Sequence, residues 1–238
     1  MNPIARRLSR FVVAGILASI CPITSAGILY VDTTATGDNT GTSWDHAFTQ
    51  LRDALPAAQT GDQIWVAAGT YRPADPNGDR TLTFQLETGV ALYGGFAGHE
   101  TKLNERDWVT NETILSGDLN ADDGPDFENN EENSYHVVTG SGTDRSGVLD
   151  GFTITSGHAD GDYPENLGGG LNNVGGSPTL ANCIFRENSA SSGAGVRNAD
   201  QGHPGFTDCT FMGNVANYGG GLYTRDAPVT LEAIPEPV

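Results

Sequence analysis

The sequence predicts an all-β fold, a right-handed parallel β-helix with a short N-terminal capping helix, on three observations. A motif recurs at fixed spacing, apolar residues alternate within each copy, and 32 glycines ask for turns rather than long helices. Asn182-Cys183-Ile184-Phe185-Arg186-Glu187-Asn188-Ser189-Ala190 aligns with Asp208-Cys209-Thr210-Phe211-Met212-Gly213-Asn214-Val215-Ala216 at a spacing of 26, with four positions shared. Both run on into glycine clusters, Gly193-Ala194-Gly195-Val196 and Gly219-Gly220-Gly221-Leu222, and a weaker copy from Phe152 ends at Gly168-Gly169-Gly170-Leu171. Repeat copies thus lie near 152–171, 183–196 and 209–222, in a domain spanning 27–223. Alternation of Phe152 with Ile154, Cys183 with Phe185 and Cys209 with Phe211 has the period of a strand with one face buried. Units this short bury little alone, whereas stacking gives a continuous core and pairs each strand with its successor.

From the N-terminus, Arg6, Arg7 and Arg10 precede an apolar run from Phe11 to Ile20 and a small-residue exit at Thr24-Ser25-Ala26, so residues 1–26 read as a secretory signal peptide. The run is shorter than the roughly 20 residues a membrane-spanning helix needs, and no second such run follows. Cys21 is a poor lipidation site because Ile20 stands where a small residue belongs, and Arg6-Arg7 is only a faint twin-arginine signal. Cleavage would remove three arginines and no acids, taking the net charge from −18 to −21. Such a surface repels nucleic acid and anionic lipid. Next, Ser43 is placed to cap a helix with Phe48, Leu51 and Leu55 on one face and Pro56 near its end, closing the N-terminal mouth of the solenoid. Strands are expected near 63–68, 83–86, 90–94, 113–116, 135–139 and 148–155, between turns of glycine, asparagine and aspartate. The tail, 224–238, holds Pro228, Pro235 and Pro237 and offers at best one short strand at Val229-Thr230-Leu231. It supplies no helical cap, so the expectation is a truncated member of a family of longer proteins, self-associating through its C-terminal end or fraying there.

Phe185-x-x-Asn188 and Phe211-x-x-Asn214, with their Gly-Gly-Gly-Leu or Gly-Ala-Gly-Val partners, resemble the polymorphic outer membrane protein repeats of chlamydial and other bacterial surface proteins. The N-terminal half, with Tyr30-Val31-Asp32, Ser43-Trp44, Ile64 to Tyr71 and Val90 to Phe96, resembles the leading segment of large secreted bacterial proteins with pectate-lyase-like β-helices. So does Tyr135-His136-Val137-Val138 followed by Val148 to Ile154. The resemblance implies a β-helix that is secreted or at the cell surface or outer membrane. It implies function only loosely, because the fold hosts adhesins, lyases and hydrolases.

Two segments are candidate sites. In Asp118-Leu119-Asn120-Ala121-Asp122-Asp123-Gly124-Pro125-Asp126, oxygen ligands at alternate positions (Asp118, Asn120, Asp122, with Asp126) before a glycine suit calcium. Against an EF-hand, the glycine is seventh instead of sixth and the twelfth residue is Asn129 instead of glutamate, so a solvated acidic loop explains the pattern as well. His158, Asp160, Asp162, Tyr163 and Glu165 lie where the first copy carries six extra residues, an insertion that should project from one face as a binding loop or as a tolerated surface loop. An aromatic among acids suits a sugar or a cation. Cys183 and Cys209 hold one position in successive coils, about 4.8 Å apart along the stack, compatible with a disulfide or with a buried apolar row. Asn188 and Asn214 are expected to form an amide ladder.

A lyase on this fold would need a basic proton acceptor and cationic help, yet the chain has one lysine, Lys102, and scattered arginines. Carboxylate pairs are too abundant to discriminate a hydrolase. The expectation is an exported noncatalytic scaffold, adhesin-like, whose partner is a glycan or a cell-surface protein. The alternative is an extracellular polysaccharide lyase or glycoside hydrolase.

Overall fold

The computed structural model describes residues 26–232, so all but the last residue of the expected leader at 1–26, with Pro235 and Pro237, lies outside the described residues. An opening strand β1 (Ile28–Val31) is followed by a helix α1 (Leu51–Ala54). The chain then winds through five coils. The first holds β2 (Gln63–Ala67), β3 (Gly69–Tyr71) and β4 (Phe84–Gln85); the second β5 (Ala91–Phe96), β6 (Thr113–Ser116) and β7 (Val138–Thr139). A fourth side enters in the third coil, β8 (Val148–Asp150), β9 (Thr153–Thr155), β10 (His158–Ala159) and β11 (Leu171–Val174). The fourth coil repeats it as β12 (Thr179–Ala181), β13 (Ile184–Arg186), β14 (Ser189–Ser192) and β15 (Val196–Ala199). The fifth is β16 (Gly205–Thr207), β17 (Thr210–Met212), β18 (Val215–Tyr218) and β19 (Leu222–Arg225), and β20 (Thr230–Glu232) begins another turn.

Each strand pairs in parallel with its counterpart one coil away, giving four sheets: β1-β2-β5-β8-β12-β16-β20, β3-β6-β9-β13-β17, β4-β7-β11-β15-β19 and β10-β14-β18. The molecule is therefore a parallel β-helix. Register stacks like on like. Ile64, Leu92, Leu149, Leu180 and Phe206 form one inward column, Leu115, Ile154, Phe185 and Phe211 a second, and Phe84, Val138, Leu171, Val196 and Leu222 a third. These columns meet in one continuous apolar core. At about 1.5–3 kcal/mol per large side chain, it is the main stabilising term.

The repeat also fixes the corners. Gly151, Asn182 and Asp208 occupy one corner in successive coils, Ser156, Glu187 and Gly213 the next, and Gly168, Gly193 and Gly219 a third, all at φ between 49° and 83°. Left-handed backbone favours glycine, asparagine and aspartate, which is why the motif opens on Asn182 or Asp208. At the Gly157 position a Cβ would lie 2.1 Å from the Gly169 carbonyl oxygen, so the chain there closes too tightly for any side chain.

Three expectations need correction. The helix begins at Leu51, capped by Gln50 without a side-chain bond, and Ser43 instead closes a separate turn in which its carbonyl accepts from the His46 amide. Phe48 bridges to Val31 as extended chain, because strand pairing satisfies its backbone better than a first helical turn with no cap. Pro56 continues α1 as a short 3-10 turn, Leu55–Ala57, where its missing N–H costs nothing. The segment 148–155 is two strands in different sheets, β8 and β9, split at the Gly151 corner. Pairing near 135–139 is confined to β7. The tail strand expected near 229–231 exists as β20, against β16.

Candidate functional site

Alternation turns every second residue of the β3-β6-β9-β13-β17 sheet outward. One outward row runs Thr70, Ile114, Thr153, Ile184, Thr210, and the next Ser116, Thr155, Arg186, Met212. The loops on either side of β6 rise over this face: residues 106–112 before it and 117–134 after it.

The second loop and the second row enclose a cleft of about 700 Å³, lined by Arg72, Ser116, Asp123, Phe127, Thr155 and Arg186 among others. The Arg72 Nε–H donates to the Asp118 carbonyl oxygen at 2.5 Å, joining the cleft floor to its wall. Arg186 pairs with Glu112 at 3.5 Å, while its Nε is buried with no hydrogen-bond partner. Thr155 is 7% exposed and its Oγ1 likewise lacks a partner. Buried polar atoms normally have partners, and these two are left without one beneath the cleft surface.

The wall is tethered at several points. Asn133 Nδ2 donates to Asp123 Oδ2 at 2.9 Å, Arg80 Nε donates to the Asn133 carbonyl at 2.5 Å, and Asn120 Oδ1 accepts from the Asn77 amide at 2.8 Å. Of the residues expected to hold a cation, Asp118 and Asp122 converge with Glu132, their oxygens within 4.8 Å of one another. Asn120 is turned toward Asn77. Asp126 sits on the cleft rim at φ 57°. Burial, then repulsion from Asp118 and Asp122, raises the Asp123 pKa above the ordinary carboxylate range. Burial, with repulsion from Asp122 and Asp123, does the same for Glu132. Three carboxylates fit a hard divalent cation whose remaining ligands come from water. Glu132 was missed because it lies ten residues beyond Asp122, across a loop with no regular period.

The other expected segment is divided. His158 belongs to β10, with Nδ1 2.7 Å from the Asn130 carbonyl oxygen, and Asp160 accepts from Arg80 at 2.6 Å. Arg80 also lies 4.3 Å from the Tyr135 ring centroid, so these groups fasten loops together. The insertion proper begins after β10. Asp162 and Tyr163 project from it, Tyr163 75% exposed, and Glu165 is half-buried.

Cys183 and Cys209 are free thiols, Cys183 buried with its Sγ donating to the Ala181 carbonyl at 3.2 Å. The amide ladder is present. Asn188 Nδ2 donates to Asn214 Oδ1 at 3.0 Å and to the Ile154 carbonyl at 3.0 Å, and its Oδ1 accepts from the Gly157 amide at 2.9 Å. A second ladder, Asn173 to Asn198 at 2.7 Å, escaped sequence reasoning. Its signal was available: both asparagines stand two residues beyond the apolar residue that ends a glycine cluster.

No family model matches the sequence, and no curated protein matches it. Among solved structures the chain is similar to the crystal structure of pectate lyase Pel9A, with a TM-score of 0.42 and 18% identity over 79% of this chain. The match covers 48% of the Pel9A chain, so this chain spans about half its length. Among the described residues, no helix is long and apolar enough to cross a membrane.

Proposed function

We propose that the protein is an exported, noncatalytic β-helix scaffold that binds a neutral glycan in the cleft beneath the 117–134 loop. The observation that carries this is a cleft that sets arginine, carboxylate and hydroxyl side chains beside an aromatic ring. Thr155 and Arg186 line its floor, Asp123 and Ser116 offer acceptors and donors, and Phe127 supplies an apolar surface. Guanidinium and carboxylate side by side suit vicinal hydroxyls, one donating and the other accepting. A polyuronate fits less well, since the chain's net charge of −18 repels it. Binding without turnover is supported by the state of the cleft's cations. Both are arginines already bonded to Asp118 or Glu112.

Calorimetry of the mature chain with neutral oligosaccharides tests this. Binding is expected without release of reducing ends or unsaturated uronate, and Arg186→Ala or Phe127→Ala should weaken it about tenfold, roughly 1.4 kcal/mol. Product formation that disappears in Arg186→Ala would establish the lyase or hydrolase alternative instead.

A further inference from the structure

The opposite side of the same sheet face holds a second groove, of about 330 Å³, between the 106–112 loop and the first outward row. Trp108 and Val109 wall it, Thr153 and Ile184 floor it, and Glu112 and Asn182 stand at its rim. Trp108 is 39% exposed and Val109 83%. By contrast Trp65 is 2% exposed, and both it and Trp44 pack against Phe96.

Trp108 is held rigidly despite its exposure. The Arg106 guanidinium lies 4.7 Å from its ring centroid and is itself fixed, with Nη2 donating to Asp150 Oδ2 at 2.7 Å and Nη1 to the Gly94 and Asp150 carbonyls at 3.1 and 3.0 Å. A Cβ on Gly95 would come within 2.7 Å of the Trp108 Cα, so the backbone beneath the ring is closely packed too. An indole whose orientation is fixed before binding loses little entropy on stacking. The carboxylate and amide at the rim complement hydroxyls.

Glu112 joins the two clefts. Its Oε1 accepts from Thr153 Oγ1 at 2.8 Å on the Trp108 side and lies 3.5 Å from Arg186 Nη2 on the other. Thr153 and Thr155, like Ile184 and Arg186, are two residues apart on one strand, about 7 Å. From this continuity we infer that Trp108 forms a second sugar subsite, and that the ligand is an oligosaccharide of at least two rings lying along the strands, across Glu112, with its far ring on the indole. This rests on the glycan-binding function proposed for the first cleft.

The test is titration with neutral cello-, xylo- and mannooligosaccharides, from monosaccharide to hexasaccharide, followed by calorimetry and tryptophan fluorescence. Affinity should rise at least tenfold from monosaccharide to trisaccharide, with a fluorescence change that Trp108→Phe diminishes. Trp108→Ala should remove that gain. Circular dichroism and melting of Trp108→Ala, compared with the conservative Trp108→Phe, separate a binding defect from a folding one. If the sugars bind with affinity independent of length and of Trp108, the second subsite is overturned while the first cleft stands. If none of the sugars binds, both are overturned.

Discussion

Asn188 illustrates how one side chain holds three successive coils together. It is fully buried, and it satisfies a backbone N–H below it, two backbone carbonyls and the amide oxygen of Asn214 above it. Asn188→Leu keeps the volume and strands those groups, at about 1–3 kcal/mol for each one left unsatisfied. A loss of about 2–4 kcal/mol in urea unfolding is expected, and a smaller one for Asn214→Leu, whose site is half-buried. Equal losses at the two sites would show that burial does not set the cost. The carboxylates of the cleft wall give a second test. Asp123 and Glu132 have raised pKa values, so each favours the folded state below its unfolded pKa of about 4 and loses that contribution as pH rises through the higher folded value. Asp107 and Glu105, bonded to backbone amides, are lowered and behave oppositely. In carboxyl NMR titrations Asp123 and Glu132 should therefore protonate at higher pH than Asp107 and Glu105. Millimolar calcium should bring both down and raise the melting temperature through linkage, and Glu132→Gln should blunt that rise. Unshifted titrations with an unchanged melting curve would leave the wall a solvated acidic loop.

At the scale of elements, the corners carry as much information as the strands. Glu187 holds a left-handed corner, φ 53°, where its neighbours in adjacent coils are Ser156 and Gly213. Non-glycine residues pay roughly 1–2 kcal/mol there. Glu187→Gly should then raise stability by about 1 kcal/mol, seen as a higher melting temperature, and Glu187→Val should lower it. No gain from glycine would mean that strain at the corner is already relieved by its hydrogen bonds. The strands and their alternation were legible because Cys183, Phe185 and their successors repeat in both identity and spacing. Corners were half legible. Asn182 and Asp208 were visible as repeated residues, but the break of 148–155 into two strands was not, since Val148, Phe152 and Ile154 share one parity and only the structure shows that Leu149, rather than Val148, points inward. The helix was misplaced because Ser43 is a valid cap by type, and only the pairing of Phe48 with Val31 decides against it. The cleft was least legible. Thr155, Arg186 and Met212 share a repeat column, yet a site forms only where two irregular loops overhang that column, and loop paths leave no periodic trace.

Across the whole molecule, burial falls off from one end of the stack to the other. At the N-terminal end, Leu51 and Ala54 of α1 pack into the core, and Tyr30, Trp44, Trp65 and Phe96 form an aromatic cluster over the first coils. Toward the C-terminal end the same columns open. Phe185 is fully buried, but Phe211, stacked on it at 5.3 Å, is only partly so, and Leu231, which follows Phe206 in the first column, is 64% exposed. Among the described residues, β17, β18, β19 and β20 each pair on one side only. In a solenoid, stability is approximately the intrinsic stability of each coil plus the interfaces it shares, so a coil with one interface opens locally at lower free energy than one with two. Amide exchange should accordingly be slow through β11 to β15 and fastest beyond about residue 205, and β1 and β2 should stay protected by the helix and the aromatic cluster. Glycan binding should slow exchange in β9 and β13, beneath the cleft, without protecting β19 and β20, because the ligand spans the middle coils alone. Uniformly slow exchange to residue 231 would show that the last coil is as well held as the middle ones and that the columns do not open toward this end in solution.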